Sequence, residues 1–79
     1  MTQRKLYKMD LTALRALGAT YGVFVRYTSL KDAGPWGRPG HFWSFPIDGR
    51  LYSGRALFER SAWIEGIRWA RDVRRKAGL

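Results

Sequence analysis

The sequence predicts an α+β domain in which a short N-terminal helix precedes a three-stranded antiparallel β-meander, and a longer C-terminal helix packs on one face of the sheet. Three observations support this order. Residues 23–28 and 41–47 are rich in β-branched and aromatic side chains, which is typical of strands. Asp48-Gly49 follows the second run and is a strong hairpin signal. The final stretch repeats alanine and glycine at four-residue spacing, which is typical of a helix lying close to a sheet.

The first helix is predicted to begin after Asp10, whose carboxylate is a favourable N-cap. Leucines recur on one face at Leu11, Leu14 and Leu17. Gly18 stands where a left-handed C-cap residue is expected, so the pattern indicates about two turns. Residues 1–9 are expected to be flexible or to form an added strand.

The strands alternate between two faces. In the first strand Val23, Val25 and Tyr27 share one face, and in the second strand Trp43, Phe45 and Ile47 share one face. Pro46 marks a sheet edge or the end of pairing. Residues 31–40 contain glycine, proline and charge in a composition that favours a long loop. Residues 50–53 are expected to return antiparallel after the hairpin.

The last helix is predicted to start between Glu59 and Ser61, either of which would cap it. Leu57 and Phe58 then belong to the sheet or its exit. The predicted buried face consists of Ala62, Gly66, Ala70, Val73 and Ala77, flanked by Trp63 and Trp69.

The composition excludes several classes of protein. Fifteen Lys or Arg oppose six Asp or Glu, which gives a net charge of +9, while 46% of the 79 residues are apolar. Residues 1–79 therefore form one small, basic, folded domain rather than a disordered tail. No cysteine and one histidine leave no metal site, and no cofactor is expected. No uncharged run approaches the roughly 18–20 residues of a membrane span, so a cytoplasmic protein is expected.

Cations concentrate on the face of the last helix opposite the alanines. Arg60, Arg68, Arg71 and Arg75 fall within about 80° of one another, together with Ile64, and Arg74 and Lys76 lie beside them. The planar guanidinium suits phosphate and carboxylate pairing, which favours a binding role. The alternative is a solvated face whose C-terminal charges complement the helix dipole.

A second basic region lies in the loop and the sheet. Trp36 and Arg38 are held between prolines and glycines, where an indole and a guanidinium suit base stacking, phosphate contact or a protein groove. Alternatively, Trp36 completes the core. Arg26, with Arg50 and Arg55, extends a basic track over the second sheet face, where Phe42 and Tyr52 would form either a stacking surface or a small core under the first helix.

The residues offer little for catalysis. His41 has no second histidine or cysteine, and the six acids are scattered over predicted caps, turns and helix positions. No catalytic residue is assigned and a non-enzymatic protein is expected. A small basic ribonuclease using arginine, lysine and tyrosine stays as an alternative.

The order helix, three strands, helix is similar to that of double-stranded RNA-binding domains, and residues 37–41 (Gly-Arg-Pro-Gly-His) resemble their second contact loop. That family carries a lysine cluster at the start of its last helix, where residues 60–63 here contain one arginine. The layout of three strands and a C-terminal helix is also similar to the arm-binding domains of phage integrases. Neither likeness assigns a site residue.

The sequence therefore predicts a nucleic-acid-binding module, for DNA or RNA, that contacts the phosphate backbone through the C-terminal helix and the Trp/Arg loop. The alternative is a small inhibitor or adaptor, for example a phage-encoded one acting on a host nucleoprotein complex, that binds an acidic protein surface with the same cations.

Overall fold

The computed structural model describes residues 3–33 and 37–78. Along the chain lie α1 (Gln3–Lys8), α2 (Leu11–Thr20), β1 (Phe24–Thr28), α3 (Leu30–Ala33), β2 (Gly40–Ile47), β3 (Arg50–Ala56) and α4 (Glu59–Lys76). The predicted fold class is confirmed: a helix precedes three antiparallel strands, and α4 packs on their sheet. The short helices α1 and α3 are additions to it.

The sheet has the order β1-β2-β3, with β2 in the centre. The hairpin is confirmed, because Asp48 and Gly49 have φ of 51° and 77°, the positive values that a two-residue type I′ turn requires. The last β2 residue paired with β1 is Ser44, opposite Phe24. Pro46 lies beyond it, so the proline does mark the end of pairing on that side.

The core lies between the sheet and α4. Trp43, Phe45 and Ile47 share one face of β2, as predicted, and the structure buries all three. Phe45 stacks between Trp43 and Tyr52 at centroid distances of 5.8 and 5.2 Å. The Trp43 indole lies against Gly54, its register partner on β3. A Cβ at Gly54 would be 2.3 Å from the Trp43 ring, so only glycine admits the indole there.

Helix α2 begins as predicted and ends later. The Asp10 carboxylate accepts a hydrogen bond of 2.7 Å from the Ala13 amide. The left-handed C-terminal residue is Gly22, with φ of 74°, and not Gly18. The Val23 amide donates to the Gly18 carbonyl at 2.8 Å, and the Gly22 amide donates to the Ala19 carbonyl at 3.1 Å. These two bonds form a Schellman motif that closes the helix.

Gly18 instead has a packing role. It is buried inside α2, where an added Cβ would lie 2.4 Å from the ring of Trp63 on α4. The missing side chain therefore lets α2 and α4 approach closely around the indole.

The start of α4 differs from the prediction in its cap. Phe58 occupies the N-cap position and no side chain caps the helix, so neither Glu59 nor Ser61 does so. The Glu59 carboxylate instead pairs with Arg15 of α2 at 2.6 Å. Leu57 and Phe58 form the exit from the sheet and are about 70% exposed.

The buried face of α4 is wider than predicted. Ala62, Gly66 and Ala70 are buried as expected, and Val73 packs partly against the core. Ile64, placed on the arginine face by the sequence, is only 3% exposed, whereas Trp69 is 54% exposed and Ala77 is also exposed. The reason is that α1 and α2 cover a second side of α4, which turns more of its circumference inward.

The two segments expected to be irregular contain helix. Residues 3–8 form α1, with Leu6 fully buried, in place of a flexible segment or an added strand. The first residues of the predicted loop 31–40 belong to α3. Ser29 precedes this helix, and its Oγ accepts a hydrogen bond from the Asp32 amide at 3.2 Å and donates one to the Asp32 carboxylate at 3.0 Å. These two bonds stabilise the helical turn.

Across residues 3–33 and 37–78, none of the helices combines the length and the hydropathy that crossing a membrane requires.

Substitution of Gly18 by alanine tests the contact between α2 and α4. In an exposed helix this change stabilises by about 1 kcal/mol through helix propensity. Here the new methyl group collides with the Trp63 ring. We expect Gly18→Ala to lower the free energy of unfolding in urea by about 1–3 kcal/mol. In a Trp63→Leu background the same change is expected to be neutral or stabilising, and a Gly18→Ala protein more stable than wild type would contradict the packing.

Candidate functional site

The structure divides the six cations predicted on α4 into different environments. Arg60 donates a hydrogen bond to the Tyr7 carbonyl and thereby joins α4 to α1. Lys76 pairs with Asp72 one turn earlier, at 3.2 Å, and the two side chains are 77% and 41% exposed. Arg68 is half-buried, one turn before Arg71. Arg60 is therefore part of the helix packing, and the remaining arginines concentrate near the C-terminal end of α4.

Three of the predicted residues meet around an open depression. Arg71, Arg74 and Arg75 line it together with Tyr21, which is the C-cap residue of α2. We call these four residues the arginine cradle. The spacing of three and four residues places the arginines on adjacent turns of one helical face. The end of α2 supplies the opposite wall.

Arg74 is held in position by an aromatic ring. Its Cζ atom lies 5.4 Å from the centroid of Tyr21, within the range of a cation–π contact. Its Nε atom is buried and has no hydrogen-bond partner among the described residues. The guanidinium is thus oriented by the cation–π contact, and its Nε has no acceptor among the described residues.

The charges around the arginine cradle strongly favour an anion. A helix C-terminus carries a negative partial charge of about half an elementary unit, which attracts the cations and opposes a bound anion. Three guanidinium groups outweigh it several-fold, and none of the described residues that line the depression carries a carboxylate. The nearby Asp72 pairs with Lys76.

A second concentration of predicted residues lies on the side of the sheet away from α4, which we call the outer sheet face. Arg26, Phe42 and Arg55 form one row across the three strands, because Phe42 pairs in register with both arginines. Tyr52 is not on this face, as it stacks on Phe45 in the core. Arg50 pairs with the buried Ile47 and lies at the hairpin end of the inner face.

The loop residues lie beside this row. Arg38 is exposed, and the Pro39 carbonyl accepts a hydrogen bond of 2.8 Å from Arg55 Nη1. Trp36 lies outside the described residues, so its two roles stay predictions. The Arg55 stem passes over Gly40, where a Cβ would be 3.1 Å from Arg55 Cγ. Arg55 is therefore fixed across β2 towards the loop.

The part of the chain that the structure describes contains no metal-ligand group. No group of three or more His, Cys, Asp or Glu side chains is close enough there to hold a metal ion. The His41 ring packs against Tyr27, with centroids 4.9 Å apart.

Sequence reasoning identified the arginines but missed two features. Tyr21 was not singled out, although an aromatic residue at the end of a helix is a recognisable candidate for stacking. The second feature is the exposure of Phe24 and Leu51 on the outer sheet face, which is 65% and 72%. This exposure was missed because the sequence does not show which elements cover that face.

Comparison with known proteins gives no relative from which to transfer a function. No protein-family model matches the chain. No curated protein and no solved structure matches it either.

Replacing Arg60 tests its placement in the helix packing. We expect Arg60→Ala to lower the free energy of unfolding by about 1 kcal/mol, because the hydrogen bond to the Tyr7 carbonyl is lost. The midpoint and slope of urea denaturation measure this loss. Arg75→Ala, which removes an exposed arginine of the cradle, is the matched control and is expected to change stability by less than about 0.5 kcal/mol. Equal stability of the Arg60→Ala and wild-type proteins would contradict the assignment.

Proposed function

We propose that this domain is a non-enzymatic nucleic-acid-binding module whose arginine cradle binds the phosphate backbone. The observation that carries the proposal is the convergence of three arginines on one open depression, with Arg74 oriented by Tyr21. Phosphate oxygens are suitable acceptors for guanidinium donors.

The residue type supports phosphate as the ligand. A guanidinium presents its N–H donors in a planar fork that matches two phosphate oxygens, and charge-assisted bonds of this kind are about twice as strong as neutral ones. The chain as a whole carries +9, which adds long-range attraction for a polyanion. Backbone contact of this kind gives affinity without base readout.

A second candidate, binding of an acidic protein surface, would use the same cations. The observation that favours it is the adjacent pair Leu57 and Phe58, which are 71% and 69% exposed at the exit from β3. Exposed neighbouring apolar side chains are typical of protein contact surfaces. This function predicts that Leu57→Ala/Phe58→Ala weakens partner binding, whereas phosphate-backbone binding is expected to be insensitive to the pair.

The salt dependence of duplex binding tests the proposed function. Each neutralised phosphate contributes a slope of about −0.9 to log K against log[salt] on duplex DNA. We expect Arg74→Gln/Arg75→Gln to reduce the magnitude of that slope by about 2 and to weaken binding at low salt. Fluorescence anisotropy of a labelled duplex across a salt series measures both quantities.

The matched control removes the same net charge elsewhere. Lys5→Gln/Lys31→Gln replaces two exposed lysines of α1 and α3 and also lowers the net charge by two. We expect it to change the slope by less than about 0.5. Equal effects of the two double variants would show that charge alone drives binding, and absence of duplex binding at low salt would reject the proposed function.

A further inference from the structure

The outer sheet face is not covered by any helix in the described residues. Helix α4 packs on the opposite face of the sheet, and α2 packs on α4 rather than beneath the strands. Phe24, Arg26, Ser53 and Arg55 are all exposed on the outer face. One of the two predictions for this face, a small core under the first helix, is therefore wrong.

The side chains of this face alternate between rings and cations. Phe42 lies between Arg26 and Arg55 in one cross-strand row. Phe24 pairs with Ser44, two residues along β2 from Phe42, so the two rings are diagonal neighbours with backbones about 7–8 Å apart. No strand residue on this face is acidic. The face thus offers an exposed ring, Phe24, and a partly buried ring, Phe42, together with two exposed arginines.

The rows of the outer sheet face differ in polarity. The row that starts at Phe24 continues through Ser44 and Ser53, and the row with Phe42 ends in an arginine on each side. Apart from the exposed pair Pro46 and Leu51, the apolar side chains are therefore only diagonal neighbours. A docked apolar helix or strand of a protein partner would need a continuous apolar surface. Separate rings beside separate cations are better matched to a ligand in which flat apolar groups alternate with anions.

We infer that the outer sheet face binds single-stranded nucleic acid, with unpaired bases stacked on Phe24 and Phe42 and phosphates beside Arg26 and Arg55. Every base has a π-face, so stacking on aromatic side chains is tolerant of sequence and is available only to unpaired bases. This inference goes beyond the proposed function and does not depend on it, since the arginine cradle lies at the end of α4, on the other side of the sheet.

Two substitutions of one exposed residue test the stacking. Phe24→Leu keeps an apolar side chain but removes the ring, whereas Phe24→Tyr keeps the ring. With a short labelled oligothymidylate as probe, we expect Phe24→Leu to weaken binding about ten-fold and Phe24→Tyr to bind within about two-fold of wild type. Leu51→Ala, at an equally exposed position of the same face, is the matched control and is expected to bind like wild type.

The salt series provides an independent measurement. Arg26→Gln is expected to reduce the magnitude of the single-strand slope by about 0.7, the contribution of one phosphate contact on a single strand. A duplex of mixed sequence, measured with the same variants, is expected to bind each of them like wild type. Circular dichroism at the measuring temperature verifies that each variant is folded.

Three results would overturn the inference. One is a wild-type protein that does not bind the oligothymidylate at low salt. Another is equal binding by Phe24→Leu and wild type. The third is a loss with Leu51→Ala as large as that with Phe24→Leu, which would indicate the general apolar contact of a protein partner. Failure of the proposed function is separate, because it appears in the duplex measurements with Arg74→Gln/Arg75→Gln.

Discussion

Helix α4 approaches the sheet at Gly66, where an added Cβ would lie 2.7 Å from Val23 Cγ1 and 3.2 Å from Trp43 Cβ. This close contact fixes the distance between the two layers. In the sheet beneath it, the Trp43 indole lies against Gly54, and Phe45 is fully buried between aromatic neighbours. Because another side of α4 packs on α1 and α2, the C-terminal part of α4 and the outer sheet face are left uncovered by these contacts. Both candidate surfaces are consequences of that packing.

The two surfaces differ in chemistry. The arginine cradle presents several guanidinium groups on one helical face and a single ring that orients Arg74. This arrangement provides charge and hydrogen-bond donors without a surface for bases. On the outer sheet face the rings of Phe24 and Phe42 lie beside arginines at strand spacing. A backbone ligand therefore suits the first surface, and unpaired bases suit the second. We propose that one domain contacts nucleic acid on two sides.

Much of the fold can be predicted from local sequence. Most of the wrong predictions concern residues of α2 and α4 whose environment is set by a second element that packs on them. The hairpin at Asp48, the cap at Asp10 and the alternation of faces in β2 depend on short-range rules, and all are confirmed. The role of Gly18 was wrong because its environment is supplied by Trp63, 45 positions away. Ile64 was assigned to the arginine face because the prediction assumed that only the sheet covers α4, which would bury a narrow strip of the helix surface. Helices α1 and α2 also contact α4 and bury more of that surface, and the periodicity of α4 alone does not encode these contacts.

The candidate sites show the same division. The arginines of α4 could be identified from the sequence, but the separation of Arg60 from the arginine cradle depends on a carbonyl of α1.

The central claim is that the arginine cradle binds duplex nucleic acid. Amide chemical-shift mapping with a labelled protein and a short duplex tests this claim most directly. The account predicts that the largest chemical-shift changes on adding the duplex occur at Tyr21, Arg74 and Arg75, while the amide signals of Phe24 and Arg26 do not change. Shifts centred on the outer sheet face, or spread evenly over all exposed cations, would contradict it.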